Sequence, residues 1–144
     1  KDVNIGYFRT NYDDYFYRGK LDEVKVYKTA LDWRISIPYV HRGSNVGETN
    51  DWNVTWSDGA DVAYLLILTE DTSLDISLVS SYTNYDTQLQ VFNADGSSTG
   101  YYNDDYSRLQ SRLPNTNLAA GEYYIVVDGY WGATGNYELT VEEK

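Results

Sequence analysis

The sequence predicts an all-β protein, an antiparallel β-sandwich of jelly-roll type. Three observations predict it. Apolar residues recur with period two in "LDISLV" and "TQLQVF". Turn-forming clusters, "NADGSS", "LAAGEY" and "DGYWGATGN", interrupt the chain roughly every 10–15 residues. Between them no stretch keeps the spacing of an amphipathic helix. Short strands joined by tight turns bury their apolar faces by stacking as two sheets. At 144 residues and 42% apolar content the chain amounts to one domain, or one domain plus a fragment, with enough apolar material for a core.

In chain order, the first strands are expected at about 5–9 and 19–27, joined by an acidic, Tyr-rich loop. In the second, Leu21, Val24 and Val26 suit a core face while Lys25 and Lys28 suit water. Two strands alone are not a stable unit, so they must pair with the rest of the chain or with a preceding part. Residues 30–37 hold at most one helical turn, and His41 reads as exposed linker at a boundary near residue 40. The stretch "ETNDWNVTWSDGADVAY" (48–64) then crowds four acids ahead of an apolar run. Leu74, Ile76 and Leu78 face inward with Asp75 and Ser77 outward, and Leu89 and Val91 repeat the pattern in the next strand. "NADGS" at 93–97 lacks the later Glu of an EF-hand and reads as a hairpin turn. "YYIVVDGY" and "NYELTV", separated by "WGATG", supply the last strands. A chain that opens on Lys1 and holds no Met is expected to be an excised or processed piece of a longer protein.

Charge narrows the partners. The net charge is −11, yet residues 1–40 carry seven basic against six acidic residues, whereas 41–144 carry four against sixteen. So acidic a field repels nucleic acid and anionic lipid and attracts cations, and no run is long enough for membrane insertion. With no Cys, disulfides and thiolate chemistry are excluded. A single His, His41, cannot build a Ser-His-Asp triad or a multi-His zinc site. Sixteen acids in 41–144 supply many carboxylate pairs, but nothing in the sequence places two of them in a cleft, so an enzyme is not expected. Sixteen Tyr, four Trp and three Phe suit half-buried strand surfaces, and equally suit faces that bind sugars or peptides.

Two family resemblances follow from particular motifs. "GKLDEVKVYKTAL", within residues 1–32, resembles the C-terminal strands of a laminin G-like, concanavalin-type lectin domain. From about Gly43 to Val141, "GADVAYLLI", "YDTQLQVFNADG", "NDDYSRLQSRL", "LAAGEYYIVVDGY" and "GATGNYELTV" resemble a bacterial pre-peptidase C-terminal domain, a family related to the collagen-binding domains of clostridial collagenases. This divides the chain into 1–40, terminal strands of a lectin-like domain plus linker, and 41–144, the sandwich. The resemblance implies a non-catalytic accessory module of a secreted or cell-surface bacterial protein, contributing to adhesion or substrate targeting.

It also implies a metal. In the collagen-binding relatives calcium lies between an acidic segment at the domain start and a loop before an early strand. Carried over by position, the ligands are Glu48, Asn50, Asp51, Asp58 and Asp61. Chemistry agrees, since calcium takes about six to eight hard oxygen ligands, which two meeting loops can supply. Asn50, Asp51 and Asp58 are also ordinary turn residues, and Trp52 interrupts the acidic run. A second candidate set is Asp86, Asn103, Asp104 and Asp105, from "YDT" and "YNDDY", although Asp86 beside Thr87 equally suits a capped turn. The aromatic loops place Tyr101, Tyr102, Tyr106, Tyr130 and Trp131 as candidate contacts for an extracellular glycan, peptide or matrix protein. Those rings equally suit covering the sandwich ends against neighbouring domains of the same chain. A structural spacer or processing domain is the third reading.

Overall fold

The computed structural model describes residues 4–9, 14–18 and 34–144, with side chains from residue 35 onward. The predicted strand over 19–27 lies outside the described residues. Strands β1 (Asn4–Arg9) and β2 (Asp14–Arg18) form an antiparallel hairpin. The second strand therefore begins inside the stretch expected to be loop. Its run Tyr15, Phe16, Tyr17 has high β propensity, which outweighs the acidic character of the stretch.

The sandwich is built from β3 (Arg34–Ile35), β4 (Tyr39–Ser44), β5 (Val62–Leu68), β6 (Thr72–Ser77), β7 (Thr87–Asn93), β8 (Ser98–Asn103), β9 (Arg112–Leu118), β10 (Gly121–Gly129) and β11 (Asn136–Glu143). One sheet has the order β4-β11-β6-β9 and the other β3-β5-β10-β7-β8. Apart from the two-residue parallel contact of β3 with β5, every pairing in the two sheets is antiparallel. Successive strands cross repeatedly between the sheets, and the two four-stranded orders are those of a jelly roll. Strand β4 begins at Tyr39, so the sandwich crosses the boundary expected near residue 40. His41 is not exposed linker. It sits half-buried in β4 opposite Leu139, its ring stacked 6.1 Å from Tyr39 and edge-on to Tyr64 at 5.9 Å.

The core lies between the sheets. Leu74, Ile76, Leu139 and Val141 from one meet Tyr64, Leu66, Leu89, Val91, Ile125 and Val127 from the other, all essentially inaccessible. Each such aliphatic side chain contributes about 1.5–3 kcal/mol on burial. The period-two expectation for Leu74, Ile76, Leu78, Leu89 and Val91 is met. Strands β5 and β10 are apolar on both faces, however, and the outer face of their sheet is not left to water. Residues 45–61 fold over it, and Val54 packs on Ala63, Phe92 and Val126. Trp52 adds its ring at 5.0 Å from Phe92 and 4.8 Å from Tyr124. The acidic stretch is thus a third layer on the sandwich. Asn45, fully buried, pins its start by donating from Nδ2 to the Ala60 and Ala133 carbonyls while Oδ1 accepts the Gly135 N–H.

Candidate metal centre and aromatic loops

The covering layer brings acids against the end of the sheet. Asp61, at the mouth of β5, is only 2% exposed. Its Oδ2 accepts the backbone N–H groups of Asp51 at 2.9 Å and Trp52 at 2.7 Å, which closes the 51–61 segment into a loop. Burial nevertheless pushes its carboxyl up to about 7; the two N–H donors oppose the shift, and the carboxylates of Asp128 and Asp51 add to it. Desolvation wins because two neutral donors replace less solvation than burial removes.

Asp128 is the residue that sequence reading missed. It stands near the end of β10, fully buried, with Oδ1 accepting the Gly129 N–H at 2.6 Å and Oδ2 without a hydrogen-bond partner. Burial raises its pKa, the Gly129 N–H and Ser57 hydroxyl oppose the rise, and Asp58 adds to it. The "SDGAD" turn is pressed onto it: Ser57 Oγ donates to the Gly129 carbonyl at 3.0 Å and accepts the Gly59 N–H. A Cβ at Gly59 would lie 2.8 Å from Asp128 Oδ1 and 3.0 Å from the Gly132 Cα, so only Gly fits there. A lone Asp closing the apolar run "YYIVV" was the one available signal.

The five residues of the first predicted set are distributed around this pair. Asp58 is exposed beside Asp128, while Asp51 accepts the Thr49 hydroxyl at 2.6 Å. Glu48 and Asn50 are exposed, Glu48 beside a groove lined by His41, Arg42 and Tyr137. The charges of Asp128 and Asp51 act on Asp61 and that of Asp58 on Asp128, and the orphaned oxygen of Asp128 is a ready hard donor. Among the described residues, no three carboxylates of this set bring ligand atoms within 4.8 Å of one another, so what the structure offers a cation here is the orphaned Asp128 oxygen beside Asp61.

Of the second set, the fold brings Asp86, Asp104 and Asp105 together, with one carboxylate oxygen of each within 4.8 Å of the others. Asn103 does not join them, because its Oδ1 accepts the Arg112 N–H at 2.9 Å. Asp86 Oδ1 caps no turn, having no hydrogen-bond partner among the described residues, and Thr87 beside it is engaged elsewhere. Thr87 is buried, and its hydroxyl pairs with Ser111, whose Oγ lies 2.6 Å from both the Thr87 and Asp104 carbonyls. The "NADGS" segment is the expected hairpin turn, closed by Gly96 N–H to the Asn93 carbonyl and Asn93 N–H to the Ser97 carbonyl.

The candidate aromatic contacts do not form one surface. Tyr101 packs on the core side and its hydroxyl bonds both backbone groups of Asn117 at 3.1 Å. Tyr102 lies on the opposite face and accepts from Gln88 Nε2 at 2.9 Å. Tyr106 carries the Arg112 guanidinium 5.2 Å above its ring. Tyr130 and Trp131 project together from the turn after β10, their rings 6.1 Å apart. Trp131 is 81% exposed at φ 49°, and Trp56, on the abutting loop, is 75% exposed at φ 62°.

No family model and no curated protein matches the sequence. Among solved structures, the chain is similar to the pre-peptidase C-terminal domain of a collagenase from Bacillus anthracis, at 21% identity and a TM-score of 0.58. The match covers 78% of this chain and 94% of that one. The two share a fold, an all-β sandwich like that of a pre-peptidase C-terminal domain.

Proposed function

We propose that this chain is a non-catalytic accessory module of a large secreted or cell-surface bacterial protein, with calcium fastening the 45–61 layer, between β4 and β5, to the end of β10. The observation that supports it is the pair Asp61 and Asp128. Two carboxylates are buried at the foot of the 45–61 layer, one of them with an oxygen that nothing among the described residues satisfies. A buried unpaired acid costs several kcal/mol unless it is neutralised or bound by a cation. Calcium bound there would supply compensating charge and tie the 45–61 layer to β10. Ordering a loose segment otherwise costs about 1–2 kcal/mol per residue, so the ion would hold this covering layer closed on the sheet. The fold's occurrence in a collagenase supports an extracellular setting and a role in substrate targeting or adhesion.

Backbone hydrogen exchange with and without calcium tests the reading, with magnesium as control. Amides of 48–61 and 128–132 should slow by at least about tenfold in calcium only. Unchanged exchange there would refute a calcium-set joint.

A second reading, recognition of an extracellular glycan, peptide or matrix protein, is favoured by Trp56 and Trp131. Holding a bulky side chain at positive φ and in water is unfavourable on both counts, which suits residues kept for a ligand. Loss of array binding in Trp56→Ala and Trp131→Ala, with stability intact, would support it, and retained binding would exclude it.

A further inference from the structure

We propose that Asp86, Asp104 and Asp105, together with the side-chain oxygen of Gln88, form a second divalent-cation site, suited to calcium, where the start of β7 meets the segment after β8. It uses none of the carboxylates of the junction described above and does not rest on that reading. The first support is convergence. Three carboxylate oxygens within 4.8 Å of one another fit a single shell, because two ligands at about 2.4 Å on opposite sides of calcium stand about 4.8 Å apart. Magnesium dehydrates reluctantly and keeps several waters, so it competes poorly for a set that asks for three or more protein ligands.

The second support is the state of the donors. Asp86 Oδ1 and Asp104 Oδ1 are shielded from water and have no hydrogen-bond partner among the described residues. Among the described residues, the nearest guanidinium on β9, Arg112, is committed to Asp75 at 2.6 Å, so it does not neutralise them.

Gln88 is an independent pointer. It is 0% exposed, and on β7 it lies one side-chain alternation from Asp86 on the same face. Its Nε2 donates to the Tyr102 hydroxyl, and the β7–β8 register, with Gln90 opposite Tyr102 and Leu89 opposite Asn103, continues to Gln88 opposite Asp104. The amide therefore ends beside the acid cluster, and its Oε1 has no partner. A buried neutral oxygen next to three carboxylates is a ligand set for a hard cation.

The surrounding backbone is already held. The Tyr130 N–H bonds the Asp86 carbonyl at 3.0 Å, the Ser111 hydroxyl bonds the Asp104 carbonyl, and Asn103 is fixed by Arg112. An ion would therefore meet a preformed half-shell, with Asp105 and water completing the exposed side. Four protein ligands and an open side suit dissociation constants of about 10⁻⁴–10⁻³ M, the range of extracellular modules.

Calcium titrations of the full chain by calorimetry test this, in the wild type, Asp104→Asn/Asp105→Asn and Asp61→Asn. The double variant should bind one equivalent fewer than wild type, and Asp105→Asn alone should weaken that equivalent several-fold. Because Asp105 is exposed, the single variant keeps the test valid if the double variant folds poorly. In a parallel nuclear magnetic resonance titration, wild-type amides of Asp86, Gln88, Asp104 and Asp105 should shift with calcium and not with equal magnesium. If Asp61→Asn leaves these shifts intact, the second site stands whatever becomes of the junction. Wild-type stoichiometry and affinity in both variants, or static amides at these four residues up to about 10 mM calcium, would overturn the proposal while leaving the junction reading open.

Discussion

Raising the pH of a calcium-free sample should destabilise the sandwich through Asp61. Its carboxyl titrates at about 7 in the folded chain, against about 4 in an unfolded one. Between those values the folded state keeps a proton that the unfolded state has released, so stability falls as pH rises. The contribution is fully present below about pH 4 and lost by about pH 7, and a gap of about three units corresponds to about 4 kcal/mol. Asp128 is shifted in the same direction. Asp75, held low by its Arg112 partner, acts oppositely, with its contribution present above about pH 4 and lost on acidification. Stability in EDTA should therefore peak between about pH 4 and 6. For a domain near 100 residues each kcal/mol moves Tm by about 4–8 °C, so the fall from pH 5 to 8 should exceed about 10 °C. Circular dichroism melts across that range measure it. Asp61→Asn keeps an acceptor for the Asp51 and Trp52 N–H groups but cannot ionise, and should give a flatter profile. Saturating calcium should flatten the wild-type profile too, by holding the acids charged. A wild-type curve in EDTA that is level from pH 5 to 8, or parallel to that of Asp61→Asn, would refute the reasoning.

Three further outcomes are expected. Asn45→Ala strands two carbonyls and one N–H at the root of the 45–61 layer, and should cost about 2–5 kcal/mol in urea unfolding. Gly43→Ala would put a Cβ 2.7 Å from the Tyr137 hydroxyl, which a 2.6 Å bond to Tyr64 holds in place; a loss of about 1–3 kcal/mol should appear as a lower urea midpoint. Trp131→Gly removes a left-handed backbone strain and an exposed ring, so Tm should rise by the equivalent of about 1 kcal/mol; a fall would show that the ring contributes to stability.

Parts of the site were legible in the sequence. Asp86, Asp104 and Asp105 flank two strands that a hairpin turn must bring side by side, so their meeting follows from local signals. Asn103 was grouped with them because it is adjacent in the chain, yet the alternation of side chains along β8 turns it away. Asp128 was not legible. A single acid in an apolar strand carries no sign of what lies across from it, and only the pairing of β10 with β5 brings it to the end where Asp61 stands. The shift in charge near residue 40 marked a change in composition, while backbone pairing with β11 carried the sandwich back to Tyr39.

What the sequence determined by itself was the class of the fold and the inward face of its strands. Period-two alternation at Leu74, Ile76, Leu89 and Val91 is a property of neighbouring residues, and a strand has only two faces to offer. Tertiary structure alone decided that Gln88 and Gln90, polar residues alternating with Leu89 and Val91, are buried, Gln90 bonded to Thr55 of the 45–61 segment and Gln88 to the Tyr102 hydroxyl. It alone decided which acids meet. Register and layering join residues far apart in the chain, and the desolvation that makes Asp61 and Asp128 unusual exists only once those layers have closed.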